Sequence, residues 1–325
     1  MTIPRVGDAM DRSIDQRRKG FLSRISDQAL KWLMVTPALA ILLFFVIFPL
    51  LWSLGLSFYS YSVMYTPPGV PPTFIGLQNF ERIFQDVNIY QSFQRTAYFV
   101  ALAVGIEFFA GFAIAELLNT QFRGRRVVVT LLLIPMMTAP AVIGIFFEYM
   151  YSPTYGIVPY FLSLLGIKDF NWMTTEWIIP AVASMDAWMW TPFMMLIILA
   201  GLQAVPRYLY EAAEIDRASL WMRFRYITLP TISPILAIAL LFRTMDALKL
   251  FDLVFPVTAG GPAAATQFLS VRLYLEVFEY FKTGYGSAFS YIFLVIIIVL
   301  SNVYVRVLTR RPLAMAPVEE AVQEV

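Results

Sequence analysis

The chain has 325 residues, of which 59% are hydrophobic and 14% are charged, with a formal net charge of +2. A soluble domain averages about 25% charged residues, so this chain has too few charges to cover a surface in water, and lipid is its expected solvent. Because cysteine and histidine are both absent, disulfides, Cys/His zinc sites and any mechanism that needs a thiolate or an imidazole base are excluded.

Six apolar stretches are long enough to cross a bilayer, which takes about 20 residues of helix. They are predicted at roughly 32–58, 95–118, 127–150, 177–203, 231–256 and 285–308. No small-residue cleavage site follows the first stretch, so it is predicted to be an uncleaved span and not a signal peptide. The predicted fold class is therefore an all-α polytopic membrane protein with six transmembrane helices.

Lysine and arginine are distributed unequally between the predicted loops. Most of the 24 basic residues lie in the N-terminal tail, in the loops after helices 2 and 4, and in the C-terminal tail. Since basic loops remain on the cytoplasmic side, both termini are predicted to be cytoplasmic in a multi-pass membrane protein. The loops at 59–94 and 257–284 are then predicted to lie outside.

Three regions follow from this reading. Residues 1–30 form a basic cytoplasmic segment that lies along the membrane surface or is disordered. Residues 31–310 form the transmembrane domain. Residues 311–325 are predicted to be a disordered tail.

A phosphate-binding P-loop is excluded, because it ends in Gly-Lys-Ser/Thr and none of the five lysines follows a glycine. The chain is therefore predicted not to hydrolyse ATP by this route. Its predicted role is non-catalytic, with no metal site and no cofactor of its own. Any ATP-driven process would need ATP and magnesium to bind to a separate polypeptide.

The most informative segment is the predicted cytoplasmic loop at 204–230, between helices 4 and 5. A helix is predicted to start after Pro206, where a proline is well tolerated. Leu220, Trp221, Phe224 and Ile227 recur at helical spacing, and Pro230 is predicted to break this helix before the next span.

This segment resembles the EAA loop of binding-protein-dependent ABC importer permeases, whose pattern is E-A-A-x-x-D-G-A followed by F-x-x-I-x-L-P. The matching residues are Glu211, Ala212, Ala213, Asp216, Ala218, Phe224, Ile227, Leu229 and Pro230. Arg217 stands where the pattern has the glycine of a helix–turn–helix bend. The resemblance implies a coupling helix that docks into a groove of an ATPase subunit, with contacts from Glu211, Ala212, Ala213, Asp216, Arg217, Leu220, Trp221 and Phe224.

Residues 251–262 also resemble the F-D-x-x-x-x-L-T-x-G-G-P signature of the sugar-type permeases in that family. The similarity runs from about residue 30 to 308 and is greatest to the maltose, trehalose and glycerol-3-phosphate group. It implies a disaccharide such as trehalose or a maltose-like sugar, or an oligosaccharide, as the substrate. It also implies that an extracytoplasmic sugar-binding protein docks at Gly260, Gly261 and Pro262.

Ionisable residues inside a membrane are costly and usually face a cavity or a partner. Helix 5 carries Arg243, Asp246, Lys249 and Asp252 at intervals of three, and helix 4 carries Asp186. Carboxylates accept hydrogen bonds from sugar hydroxyls, arginine donates to them, and aromatic faces stack on the ring. The predicted substrate-binding residues, at the depth of the family's sugar pocket, are Asp186, Trp190, Phe193, Arg243, Asp246 and Met136.

Two alternatives remain open for Lys249 and Asp252, a functional role and a structural one. Lys249 and Asp252 could form part of an ion-pair ladder along helix 5, since opposite charges three residues apart can pair. Glu107 in helix 2 is predicted to be structural and to pair with a neighbouring helix or with a second subunit.

The function implied by the resemblance is that of the membrane-spanning permease subunit of an ATP-driven sugar importer in the bacterial inner membrane. The subunit would form half of the translocation pathway and transmit ATPase motion through the 204–230 loop. Its expected partners are a homologous second permease, two ATPase subunits, the binding protein and membrane lipid, with no nucleic acid. One alternative is an ion-coupled secondary transporter that uses the acids of helices 4 and 5, although no second copy of the 204–230 pattern marks an inverted repeat. A membrane-embedded enzyme is a second alternative that no motif supports.

Overall fold

The computed structural model describes residues 27–309 with the exception of 168 and 169. These residues are almost wholly helical, and five helices among them are long and apolar enough to cross a membrane. A shorter apolar helix lies at Pro140–Tyr151. The predicted all-α class is confirmed, whereas most of the predicted segment 1–30 and the whole tail 311–325 lie outside the described residues.

The first long helix consists of α1, Asp27–Leu42, and α2, Phe48–Ser57, joined by a π-helical turn at Leu43–Ile47. Pro49 follows this turn, where the wider winding accommodates a residue that has no N–H to donate. None of its most apolar 18 residues is buried within the chain. A helix that is apolar on all sides and uncovered is expected to be surrounded by lipid or by another subunit.

A short irregular segment connects this helix to the next. Strand β1, Tyr59–Ser60, pairs antiparallel with β2, Thr73–Phe74, and α3 follows at Gln78–Gln85. The Asn79 side chain donates to the carbonyl oxygens of Ser57 and Tyr59 at 2.8 and 3.1 Å, which fixes α3 against the end of α2.

The second long helix, α4, is Val87–Asn119, and Asp86 caps it by accepting a hydrogen bond from the Asn88 N–H at 2.8 Å. Asp86 also accepts from the Tyr285 hydroxyl at 2.9 Å. Burial opposes ionisation of this carboxyl, but hydrogen bonds from Asn88 and Tyr285, together with the charge of Arg272, outweigh it and lower the pKa of Asp86. The cap therefore stays charged and ties α4 to the last helix of the chain.

The core of the bundle lies between α4 and α8, Ile178–Ala204. The two helices approach closely at Gly111, where an added Cβ would lie 3.0 Å from the Cβ of Met194 and from the backbone nitrogen of Met195. A fully buried layer continues from this crossing. It includes Phe99, Ala103, Met194, Met195, Ile198 and Ala239.

The predicted third span at 127–150 is interrupted. Helix α5 covers Arg125–Leu133, a 3₁₀ turn covers Pro135–Met137, and α6 covers Pro140–Tyr151. The two prolines cannot donate backbone hydrogen bonds, and the two residues before Pro140 are extended, as is favoured ahead of a proline. A short helix, α7, follows at Ile157–Leu164.

The fifth predicted span starts earlier and ends earlier than expected. After α9, Arg207–Ile215, the chain enters α10, Leu220–Arg223, which continues through a π-helical turn into α11, Leu229–Ala247. The prediction that Pro230 breaks the helix is wrong, because the π-helical turn just before it removes the need for its missing N–H. The helix ends at Ala247 and not at 256, in turns that include a hydrogen bond from the Leu250 N–H to the Ala247 carbonyl.

Three helices complete the fold: α12, Phe255–Thr258, α13, Leu269–Tyr274, and α14, Thr283–Thr309. A π-helical turn at Leu275–Glu279 extends α13. The start of α14 lies so close to β1 that a Cβ on Gly284 would be 2.2 Å from the Tyr59 carbonyl oxygen. The end of the first long helix and the start of the last long helix are therefore packed together beside α3.

The turn that follows α11 packs closely against Gly144 of α6, where a larger side chain would not fit. An added Cβ there would lie 2.3 Å from the Leu253 carbonyl oxygen and 2.9 Å from Val257 Cγ2. We expect Gly144→Ala to destabilise the protein by about 1–3 kcal/mol, because backbone must move to relieve the overlap. Thermal unfolding of the purified protein in detergent measures this effect.

Gly105→Ala is the matched control, since that helical glycine has no atom within 4 Å of an added Cβ. It should be neutral or stabilising by up to about 1 kcal/mol, as alanine is the better helix former. Equal melting temperatures for the two variants would show that the contact between Gly144 and Leu253 is not a tight one.

Candidate functional site

Arg243 of α11 forms ion pairs with three carboxylates that come from three helices. Its Nε and Nη2 donate to the two carboxylate oxygens of Glu107, on α4, at 2.5 and 2.7 Å. Nη2 also donates to Asp186, on α8, at 2.5 Å, and Nη1 donates to Asp246, on α11 itself, at 2.9 Å. The planar guanidinium thus joins α4, α8 and α11 through one fork of donors.

The four side chains of this cluster differ sharply in exposure. Arg243 is 1% exposed, Glu107 0% and Asp186 2%, whereas the side chain of Asp246 is 50% exposed. The predicted substrate-binding arginine is therefore enclosed by carboxylates. Among the four, Asp246 is the one that presents a substantial polar surface to a ligand.

The aromatic residues of α8 complete the environment of Arg243. The guanidinium carbon lies 5.1 Å from the centroid of the Trp190 ring, a cation–π arrangement. Phe193 packs edge-on against Trp190 at 6.2 Å. Trp190 and Phe193 follow Asp186 by four and seven residues, so the three share one face of α8, which brings Trp190 next to the charged cluster.

A cavity of about 120 Å³ opens beside the cluster. Asp186, Trp190 and Asp246, which the sequence predicted, line it, whereas Arg243, Phe193 and Met136 do not. Its wall is completed by the turn after α11 and by the start of α6. The lining residues are Pro140, Asp186, Trp190, Asp246, Lys249, Leu250, Phe251, Asp252 and Leu253.

Lys249 and Asp252 were left open between a function and an ion-pair ladder. Within the described part of the chain, neither makes an ion pair, although Arg243 and Asp246 do pair at the same spacing of three residues. The reason is that α11 ends at Ala247, so the helical spacing that aligns such pairs no longer applies at residues 249–252. Both side chains are exposed and line the cavity.

Glu107 is the residue whose role the sequence could define least. It is predicted to be structural, and the structure gives it a two-pronged ion pair with Arg243, 136 residues away. The only signal that the sequence offered was an ionisable residue within an apolar, membrane-spanning stretch.

A further buried carboxylate, Glu276, was not singled out from the sequence. It is 0% exposed and pairs with Arg272 at 2.5 Å and with Lys282 at 3.0 Å. The spacing of Arg272 and Glu276, one helical turn apart, is the signal that could have revealed it. This group lies in the segment that joins α13 to α14, away from the cavity.

The 204–230 loop has the geometry of a closed helix–turn–helix. Helix α9 ends at Ile215, and in the turn after it Arg217 lies in the left-handed region, at φ 54°. The Ala218 N–H donates to the Ala213 carbonyl at 2.9 Å and the Arg217 N–H donates to the Glu214 carbonyl at 3.0 Å. This is the Schellman arrangement that a glycine usually provides.

Side chains hold this loop to the helix that follows it. The Arg223 guanidinium donates to Glu214 at 2.9 Å, and the hydroxyls of Tyr210 and Thr228 are hydrogen-bonded at 2.8 Å. Ala213 is buried beneath the turn. Large apolar residues remain uncovered on the opposite surface: Ile215, Leu220, Trp221, Met222 and Tyr226.

The 260–262 turn is held by hydroxyl groups. Thr258 and Thr266 are hydrogen-bonded to each other at 2.7 Å, and Thr266 donates to the Gly261 carbonyl at 2.7 Å. Gly260 adopts φ 89°, a conformation that favours glycine. Phe251, Asp252 and Leu253 of the cavity precede this turn in the same connecting segment of the chain.

Long apolar helices, an ion cluster beside a cavity and an exposed helix–turn–helix define a membrane transport subunit. Residues 107–312 match the family described as "Binding-protein-dependent transport system inner membrane component". The chain belongs to this family and is a multi-pass membrane permease, a transport subunit and not an enzyme.

Particular relatives extend the match to most of the chain. The trehalose/maltose transport system permease protein MalF of Thermococcus litoralis is 37% identical over 282 residues, which cover 86% of this chain and 93% of MalF. The sulfoquinovosyl glycerol transport system permease protein SmoG of Agrobacterium fabrum is 32% identical and covers 87% of this chain and 92% of its own. The fold is that of a solved bacterial alginate ABC transporter in complex with an alginate pentasaccharide-bound periplasmic protein, with a TM-score of 0.73 at 22% identity, covering 87% of this chain and 94% of that one.

The Arg243 cluster generates a stability prediction. Arg243→Met should reduce the free energy of unfolding by about 3–5 kcal/mol, because it leaves Glu107 and Asp186 buried without a counter-charge. The expected result is little folded protein in detergent, measured by size-exclusion profile and thermal unfolding. Lys249→Met removes an exposed cation from the same helix end and should fold normally. Equal yields and melting temperatures for the two variants would contradict the assignment of Arg243 as the neutralising group.

Proposed function

We propose that this chain is the permease subunit of an ATP-driven sugar importer, with a disaccharide such as trehalose or a maltose-like sugar, or an oligosaccharide, as its substrate. The observation that carries the proposal is the cavity lined by Asp246, Lys249, Asp252 and Trp190. Charged donors and acceptors beside an aromatic ring are the groups that recognise a polyol. MalF and SmoG, both transporters of sugar-containing compounds by name, support the substrate class.

The dimensions of the cavity support a second permease subunit. Sites that enclose a small molecule usually measure about 300–1,000 Å³, whereas this cavity measures about 120 Å³. The chain therefore provides part of a site, and a homologous permease facing it supplies the rest of the translocation pathway. The uncovered first helix is consistent with burial against another subunit or lipid.

The exposed helix–turn–helix supports docking of an ATPase. Ile215 is 84% exposed and Leu220 is 82% exposed, which is unfavourable in water unless a partner covers them. Glu211, Ala212, Asp216, Arg217, Trp221 and Phe224 belong to the same loop. Two ATPase subunits, which bind ATP and magnesium, would dock on this loop and on its equivalent in the second permease.

The same loop is suited to transmit movement. Helix α9 is joined to the turn before α11 by the Glu214–Arg223 ion pair and by the Tyr210–Thr228 hydrogen bond. Because α11 carries Arg243 and Asp246, displacement of the loop reaches the cavity through one continuous helix. The ATPase shifts the equilibrium between inward-facing and outward-facing forms to the extent that it binds one form more tightly.

The remaining parts of the proposal concern orientation. Both termini and the 204–230 loop are cytoplasmic, in keeping with their basic residues. The segment at 59–94 and the Gly260–Pro262 turn face the outside, where the sugar-binding protein docks. The alginate transporter, crystallised with its periplasmic protein, supports such a partner.

An ion-coupled secondary transporter is a weaker account of the same residues. Asp186 is buried and engaged by Arg243 at 2.5 Å, so it is not available as a cation ligand. Within the described residues, no group of acidic side chains is arranged to hold a metal ion.

Transport by the complete importer tests the proposal. The chain would be reconstituted in lipid vesicles with its second permease, its ATPase and its binding protein, and uptake of labelled trehalose and maltose would be measured. We expect uptake to require ATP on the ATPase side and to survive ionophores that collapse proton and sodium gradients. Uptake that continues without ATP and stops with ionophores would show the proposal to be wrong.

The uncovered apolar side chains of the 204–230 loop are the basis of a separate prediction. Ile215→Asp with Leu220→Asp should abolish co-purification of the ATPase and lower ATP-driven uptake at least about tenfold, because a charge replaces each uncovered apolar side chain at the interface. The permease should fold normally, since both positions are exposed. Leu165→Asp, at a position 78% exposed elsewhere in the chain, is the matched control. Normal ATPase binding by the double variant would exclude this surface as the docking site.

A further inference from the structure

The charged residues in and beside the cavity fall into two groups that differ in their partners and their exposure. Arg243 donates from Nε, Nη1 and Nη2 to Glu107, Asp186 and Asp246 and is 1% exposed. Its donors are used within the protein, so it is not placed to bind a substrate. The side chains of Lys249 and Asp252 make no ion pair or hydrogen bond within the described part of the chain, and both are exposed and line the cavity.

Unpaired charges next to a membrane-spanning segment are expected to meet water or a ligand. Here they lie in the turn directly after α11, and the Leu253 carbonyl packed against Gly144 holds this turn in place. Lys249 and Asp252 are therefore presented on backbone that is fixed against α6 and not on a free loop. Fixed polar groups of this kind set the specificity of a site.

The hydrogen-bonding capacities of these groups point to a chemical class. The Lys249 ammonium only donates, whereas the carboxylates of Asp246 and Asp252 only accept. A hydroxyl group can accept from the ammonium and at the same time donate to a carboxylate. An anionic sugar would bring its charge close to two carboxylates, and like charges in a partly desolvated cavity repel.

We propose that Lys249 and Asp252 are specificity-determining residues that, with Asp246, hydrogen-bond the hydroxyl groups of an uncharged sugar in the translocation pathway. This inference rests on the proposed function and adds the residues and the charge class of the substrate to it. Arg243 and Glu107 act as positioning residues, because they fix the carboxylate of Asp246 without contacting the sugar.

The test uses the complete importer in vesicles with trehalose as the probe, and it measures both trehalose uptake and ATP hydrolysis. We expect Lys249→Met and Asp252→Asn each to lower the amount of trehalose imported per ATP about tenfold or more, the effect of losing a hydrogen bond to a charged group. ATP hydrolysis stimulated by the loaded binding protein should stay within about twofold of the wild type, because the coupling loop is unchanged. Lys249→Arg, which keeps the charge and donors, should restore most of the ratio.

Lys31→Met is the matched control, since it removes a lysine from the far end of the first long helix and should leave the ratio unchanged. A wild-type ratio in both Lys249→Met and Asp252→Asn would overturn this inference while ATP-driven uptake still supported the proposed function. A parallel loss of uptake and of ATP hydrolysis would also overturn it, because that result indicates a structural role. Absence of ATP-driven trehalose and maltose uptake in the wild type would instead refute the proposed function, and the inference would fall with it.

Discussion

The burial of Arg243 is the constraint on which the rest of the bundle depends. A guanidinium cannot be neutralised by losing its proton, so within an apolar helix bundle it needs carboxylates at hydrogen-bonding distance. Glu107 and Asp186 provide them from α4 and α8, at 2.5 Å each. These three helices therefore have one register relative to one another, and a shift by a single residue would leave charges buried and unpaired.

Close packing reinforces the same register. Gly111, four residues after Glu107, allows α4 to approach α8 at Met194 and Met195, and Asp186 lies about two helical turns before this crossing. A buried ion pair adds little net stability compared with an apolar contact, but it penalises incorrect arrangements strongly. In this protein it also fixes Asp246, whose half-exposed carboxylate is the link between the buried cluster and the cavity.

The sequence was informative where the physics is local. Composition predicted a membrane protein, apolar runs located the long helices to within a few residues in most cases, and the 204–230 pattern indicated a helix after Pro206. Pairings over long distances could not be predicted, because nothing local joins Glu107 to Arg243.

The spacing of Lys249 and Asp252 was also misleading as a sign of an ion-pair ladder. Such a spacing aligns side chains only while the helix continues, and α11 ends at Ala247. Proline was equally ambiguous: Pro135 and Pro140 interrupt a span, whereas a π-helical turn lets the chain pass Pro230 without a break.

Arg217 shows how an unfavourable residue is tolerated when its surroundings determine the backbone. A side chain in the left-handed region costs about 1–2 kcal/mol relative to the right-handed one, yet the turn at φ 54° closes with both hydrogen bonds of a Schellman motif. Three contacts fix the segments on either side of this turn: the burial of Ala213, the Glu214–Arg223 ion pair and the Tyr210–Thr228 hydrogen bond. The backbone of Arg217 must therefore adopt the conformation that connects them. The exposed guanidinium then lies on the same loop as Ile215 and Leu220, where, in the proposed complex, an acidic group of the ATPase could offset the strain. The family's glycine makes this turn without strain, whereas arginine makes it with strain and adds a cation to the surface that the ATPase would contact.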